Sequence, residues 1–372
     1  MVAKEQKGKR KRRRSSAVVL LNGLLTLVVL GLIAAGAVFL WGLNEIDKPG
    51  PKETEAAFLV PKGSGMGSLA GPLQDQGFVS DALMFKVATT FLAKDAKIKP
   101  GQYLIPARAS ISDIVTLITT TEPQDFFLDV IPGMTAWEVA QKINDPAQSL
   151  TGNPIAVPIE GTLLAERHDF FPGDTRQSLV DAIEKKMTSK VGEIWDGRDH
   201  SIDDVVKNAH DLVTLASLVE KETGVASERA QIASVFINRL RKHMRLQTDP
   251  SVMYGLTLGK GKLDRDLTSK DLTSKTAYNT YQIDALPPGP IDNPGVDALM
   301  AVAHPADGKY LYFVAKDADP ADGHYFSATY AQHRKNVALY RQAVAASAAS
   351  AAEDAKDALE AQQASAAGDT GQ

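Results

Sequence analysis

The chemistry in this chain is concentrated in one run, Leu212-Val213-Thr214-Leu215-Ala216-Ser217-Leu218-Val219-Glu220-Lys221-Glu222-Thr223-Gly224, which reads as a helix stopping at Gly224. At about 100° per residue, with Leu215 at 0°, Leu218 falls near 300°, Val219 near 40°, Leu212 near 60° and Glu222 near 340°. Glu222 thus shares the apolar stripe, whereas Glu220, near 140°, faces elsewhere. A carboxyl held among leucines is desolvated, retains its proton near neutral pH and can serve as a general acid. The competing reading is a buried glutamate paired with an arginine for structure. The following helix, Ser227 to His243, offers Arg239 inside its apolar face, either as a salt-bridge partner or as a side chain snorkelling along apolar surface.

Other chemistries lack their residues. The 372-residue chain has no cysteine, which excludes disulfides, thiol nucleophiles and Cys-ligated metals. Its seven histidines form no H-E-x-x-H pair, and no G-x-S-x-G elbow occurs. Gly65 to Ala70 satisfies G-x-G-x-x-A without a supporting βαβ pattern, and Gly255 to Lys260 is one residue short of a P-loop. No cofactor and no metal are expected. Downstream, Leu246-Gln247-Thr248-Asp249-Pro250 and Ala277-Tyr278-Asn279-Thr280-Tyr281 are polar, aromatic-flanked loops suited to hydroxyl- and amide-rich ligands such as sugars, and Leu286 to Pro290 is a rigid turn.

The elements that must position these residues begin at a membrane. Ala17 to Trp41 carries no charge in 25 positions, more than the roughly 20 needed to span a bilayer as a helix. A cleaved signal peptide would have a shorter apolar core, about 7–15 residues, so an uncleaved anchor is expected, with Trp41 at the interface. Residues 1–14 hold eight of the 41 bases and only Glu5 among the 45 acids; the remainder, 33 bases and 44 acids, carries −11. A basic run could be a nucleic-acid or nuclear-import patch, but abutting a span it sets orientation, N-terminus in the cytoplasm. The acidic body argues against binding nucleic acid.

Beyond the cytoplasmic segment (1–16) and span (17–41), a polar Pro/Gly-bearing stalk covers 42–55. Strand, helices and strand over 56–122 make a small unit whose size and order resemble a LysM-like, glycan-binding module. Within it, Ser80 is expected to cap a helix to Leu92, and Ser110 or Ser112 another to Ile118. A mixed α/β unit follows over 123–342, with a capping box at Thr135-Ala136-Trp137-Glu138, a helix over Ser178 to Lys190 and short strands near Tyr310–Val314 and His324–Phe326. The Ala-rich tail, 343–372, can be transiently helical but cannot build a core. The expected fold class is a single-pass anchor plus an α+β ectodomain.

Val219 to Thr223, Ala226 to Gly255, Ala277 to Ile291 and Ala303 to Val314 together closely resemble the endolytic murein transglycosylase (YceG-like) family. The resemblance is dense over about 210–335 and looser upstream. It implies non-hydrolytic cleavage of the MurNAc–GlcNAc β-1,4 bond in nascent peptidoglycan strands, leaving 1,6-anhydro-MurNAc ends and terminating elongation. One glutamate acts as acid and then as base; here the role falls on Glu222, whose Glu222-Thr223 pair resembles the Glu-Ser/Thr of related lytic enzymes. Glu220, Asn238, Gln247, Asp249, Tyr254, Tyr278 and Asn279 are implied substrate-binding or supporting residues. The resemblance also implies an inner-membrane enzyme with a periplasmic catalytic domain and peptidoglycan synthases (penicillin-binding proteins) as partners. Where the family carries P-D-T-Y after E-G-x-L, this chain has Ala165-Glu166-Arg167-His168, so no site residue is carried over there. A hydrolytic muramidase and a non-catalytic glycan-binding scaffold are the alternatives.

Overall fold

The computed structural model describes residues 16–93 and 96–368. The basic run Lys4 to Arg14 lies outside them. Two units divide the chain, Met1–Asp125 and Phe126–Gln372.

The first unit opens with α1 (Ser16–Ile46), of which Leu20–Ile46 is long and apolar enough to cross a membrane. It continues through β1 (Ala56–Val60), α2 (Ala70–Asp75), α3 (Ala82–Leu92), β2 (Gly101–Ile105) and α4 (Ile111–Thr120). β1 and β2 form an antiparallel ribbon, Phe58 opposite Tyr103. Alternation sends Phe58, Val60, Tyr103 and Ile105 into a core with Leu73, Phe85 and Ile114. The expected cap at Ser80 is displaced by one residue. Asp81 takes that position, accepting from the Leu83 and Met84 amides at 2.7 and 3.2 Å, because a carboxylate answers the positive end of α3 better than a hydroxyl. Ser110 caps α4 through a reciprocal box with Asp113.

The second unit contains β3 (Phe127–Asp129), α5 (Ala136–Asn144), β4 (Arg167–Asp169), α6 (Arg176–Asp196), α7 (Ala209–Glu222), α8 (Arg229–Arg241), α9 (Asp249–Thr257), α10 (Ser269–Leu272), α11 (Val296–Ala303), β5 (Tyr312–Ala315), β6 (His324–Ser327) and α12 (Tyr330–Gly368). Its sheets are two-stranded antiparallel ribbons, β3–β4 and β5–β6. The expected box at Thr135 forms with Glu138 at the start of α5. Central to this unit is α7. Every residue from Leu212 to Val219 is buried against α6, α8 and α11, so the helix has no solvent face along those two turns. Mostly apolar side chains let it occupy the middle, and buried Ser217 is satisfied by the Thr214 carbonyl and the Ile291 amide. The last helix, α12, runs past residue 342 into the Ala-rich tail, in keeping with alanine's helix propensity.

Candidate active site

The sequence leads one to expect α7 to stop at Gly224. Instead Glu222 is its last helical residue, Thr223 is extended, and Gly224 is absent from the left-handed residues. The Thr223 hydroxyl accepts from the Val225 amide at 2.9 Å and closes the turn. Three successive residues at this end go separate ways. Glu220, expected to face away from the interior, is instead held inside the protein. Its Oε2 accepts from the Gly295 amide at 3.0 Å, and its Oε1 lies 3.4 Å from the Arg229 guanidinium. Lys221 donates to the Gly133 carbonyl at 2.5 Å. Glu222 instead lines two cavities that neither of these neighbours lines.

Burial pushes the Glu222 carboxyl up to about 7; the Thr248 hydroxyl pulls it down, neighbouring Asp249 raises it and Arg239 lowers it. The negative end of α7 acts in the same sense as burial. Near neutral pH this group is therefore balanced between donating and accepting a proton. It contributes to the walls of two cavities. One, about 230 Å³, is shared with Arg239, Gln247, Asp249, Tyr281 and Phe313. The other, about 220 Å³, is shared with Thr223, Asp317, His324 and Tyr340.

The first cavity is built by a stitched loop. Gln247 sits in the left-handed region (φ 52°), and its amide donates to the Thr280 carbonyl at 3.2 Å. The Thr248 amide donates to the Thr280 hydroxyl at 2.9 Å, and Ser251 joins the same hydroxyl at 2.8 Å. Tyr281 donates to Asp249 Oδ1 at 2.7 Å, fixing that carboxylate beside Glu222. The Thr248 Oγ1, buried near the Glu222 carboxyl, completes no hydrogen bond of normal geometry. Arg239, read from sequence as a salt-bridge or snorkelling residue, does neither. It is buried and donates to the Leu311, Leu246 and Arg245 carbonyls at 2.6, 2.7 and 3.3 Å, tying together the chain segments that lead into both walls.

The remaining expected residues divide differently. Tyr254 and Tyr278 pack edge-to-face at 4.7 Å around a separate cavity of about 680 Å³ that Glu222 does not line. With them stands Glu160, which accepts from the Ala136 amide at 2.6 Å and the Tyr254 hydroxyl at 3.2 Å; burial raises its carboxyl to about 7. Asn279 is fully buried and clips the Asp271, Leu272 and Ser274 carbonyls. Asn238 donates to the Gly308 and Tyr310 carbonyls at 3.1 Å each. The departing segment Ala165 to His168 enters β4, where His168 is buried with Nε2 2.7 Å from the Leu164 carbonyl. Glu160, Thr248, Glu228 and His324 were missed by sequence reasoning. For Glu160 a signal existed, its place in the E-G-x-L run; for the Glu228–His324 pair, 96 residues apart, none did. Among the described residues, no three His, Asp or Glu side chains converge as a metal site requires.

A family model described as YceG-like matches residues 58–339. An endolytic murein transglycosylase from Bacillus subtilis (strain 168) is 30% identical over 338 residues, covering 82% of this chain and 90% of its own. One from Streptococcus pneumoniae serotype 2 (strain D39) is 27% identical over 367 residues, covering 84% of this chain and 64% of its own. The crystal structure of a putative yceG-like protein from Listeria monocytogenes, 27% identical, covers 76% of this chain and 98% of its own with a TM-score of 0.48.

Proposed function

The chain belongs to the YceG-like family, and from that premise we propose that it is a peptidoglycan lytic transglycosylase with Glu222 as its acid and base. The observation that carries the assignment is Glu222 itself: raised to about 7 and contributing to two cavities. Protonated Glu222 gives its proton to the glycosidic oxygen of the MurNAc–GlcNAc bond. The C1–O4 bond breaks, its electron pair leaving with the GlcNAc oxygen. The muramyl O6 then attacks C1 and surrenders its proton to the Glu222 carboxylate, so the 1,6-anhydro ring closes and the acid is regenerated. No water is consumed. Two cavities that share the acid as a wall residue offer room for sugar units of a strand beside it.

In this reading Gln247 and Asp249 contact sugar beside Glu222, with Thr248 donating to its carboxylate as charge develops. Tyr254 and Tyr278 serve a more distant stretch of strand, since they line another cavity. Glu220, Asn238 and Asn279 support the walls. We also assign α1 as a single-pass inner-membrane anchor, N-terminus inside, with the LysM-like residues 56–122 and the catalytic unit in the periplasm beside peptidoglycan synthases.

Asp249 favours one second reading. A carboxylate beside the acid, held by Tyr281, is placed to activate water, as in a hydrolytic muramidase. Digestion of purified strands followed by mass spectrometry of the termini separates the possibilities. Anhydro ends support the transglycosylase and reducing ends the muramidase; uncut strands that still bind leave a scaffold. Glu222→Gln abolishes cleavage in the proposed reading, and Glu220→Gln does so only through misfolding.

A further inference from the structure

Glu228 and His324 form a pair that the mechanism above does not use. Glu228 Oε1 accepts from the His324 amide at 2.8 Å, and Oε2 lies 2.7 Å from the ring Nδ1. Both side chains are nearly buried, 11% and 14% exposed, and Glu228 stands at the N-terminal end of α8 without a side-chain capping bond to it. The approach is built into the backbone. Gly323 has φ 76°, and a Cβ there would stand 2.3 Å from Glu228 Oε1, so only glycine lets the carboxylate reach the ring. The ring is also fixed edge-on against Phe313 at 5.4 Å. A carboxylate only accepts, so in the neutral imidazole the hydrogen lies on Nδ1 and Nε2 is an acceptor. Nε2 has no hydrogen-bond partner among the described residues, and His324 lines the same cavity of about 220 Å³ as Glu222.

We propose that His324, oriented by Glu228, accepts a hydrogen bond from a sugar hydroxyl or amide N–H in that cavity and so orients the strand against Glu222. This inference rests on the transglycosylase reading for its substrate. It adds no proton transfer, because Glu222 alone gives and regains the proton. The bland reading of the same pair is a staple holding the β5–β6 ribbon to the start of α8.

Two isosteric variants of the full chain in detergent separate the readings. His324→Asn keeps a donor where Nδ1 stood and loses the acceptor at Nε2; His324→Gln does the reverse. An orienting role predicts that His324→Asn melts like the wild type yet loses about 10- to 100-fold in kcat/KM, the value of one hydrogen bond made to the reacting complex. His324→Gln melts lower but, assayed below its melting temperature, is at least tenfold more active than His324→Asn. Equal rates for His324→Asn and wild type overturn the proposal, as does activity that merely follows melting temperature. If the wild-type chain leaves no anhydro ends, the transglycosylase reading fails instead. The affinity of the Glu222→Gln chain for uncut strands, with and without His324→Asn, then still decides the role of His324: weaker binding with His324→Asn supports it, and equal binding overturns it.

Discussion

Glu222→Gln is expected to stabilise the protein while removing its activity, and the gain should depend on pH in a way fixed by the burial of this one group. The carboxyl moves from an ordinary 4.5 to about 7 on folding. At roughly 1.36 kcal/mol per pH unit, that is about 3 kcal/mol of preference for the protonated form. Between those two values the folded chain binds more protons than the unfolded one, so stability falls as pH rises and levels off above about 7. Glutamine keeps the size of the neutral acid and cannot ionise. It should match the wild type to within about 1 kcal/mol at pH 5 and exceed it by up to about 3 kcal/mol at pH 8. For a unit of this size that is about 6–12 °C in melting temperature. Thermal unfolding at both pH values, followed through Trp137 and Trp195 of the second unit, measures it. A difference that is the same at pH 5 and pH 8, or a destabilised variant at pH 8, refutes the argument that desolvation sets the acid.

Three further outcomes are expected. Thr248→Val and Asp249→Asn should displace the falling limb of kcat/KM against pH in opposite directions, upward for Thr248→Val and downward for Asp249→Asn, because the hydroxyl favours the charged carboxyl and the neighbouring carboxylate opposes it. Asn279→Ala leaves the Asp271, Leu272 and Ser274 carbonyls without their shared donor and should cost about 2–3 kcal/mol in urea unfolding. Gly161→Ala puts a methyl 2.5 Å from Pro290 Cγ at a residue with φ 76°, and a loss of about 1–3 kcal/mol by the same measurement is expected.

Local rules carried the sequence reading well where they acted alone. The cap offered at Ser110 or Ser112 and the capping box at Thr135 need only residues three apart, and caps form at Ser110 and Thr135. Helical angle and the Glu222-Thr223 motif both point to Glu222 over Glu220, and Glu222 lines two cavities, but the angular argument is incomplete. A helix buried all round has no outward face, so Glu220 is equally enclosed and differs by having the Gly295 amide and Arg229 as partners. Those partners lie on other elements and leave no mark on α7's own spacing. The same limit applies to the tyrosines. Tyr254 lies five residues after Asp249 and one helical turn carries it to another cavity, a separation that the motif's continuity conceals. Arg239 illustrates the converse: its burial was legible, but its acceptors are carbonyls of segments 245–246 and 311, visible only once the chain has closed on itself.

The splaying of Glu220, Lys221 and Glu222 has a consequence for how such a protein can diversify. The post that carries the acid is anchored rearward, to Gly295, Arg229 and Gly133, and none of these lines the two cavities beside it. The cavity walls come from elsewhere, from the loop at 247–249 and the β5–β6 ribbon. Drift in the β5–β6 ribbon can therefore reshape the space beside Glu222 without touching Thr248 and Asp249, the loop residues that tune its carboxyl alongside burial. The two walls thus differ in what they are free to change: the ribbon shapes the space alone, whereas the 247–249 loop shapes it and tunes the carboxyl together.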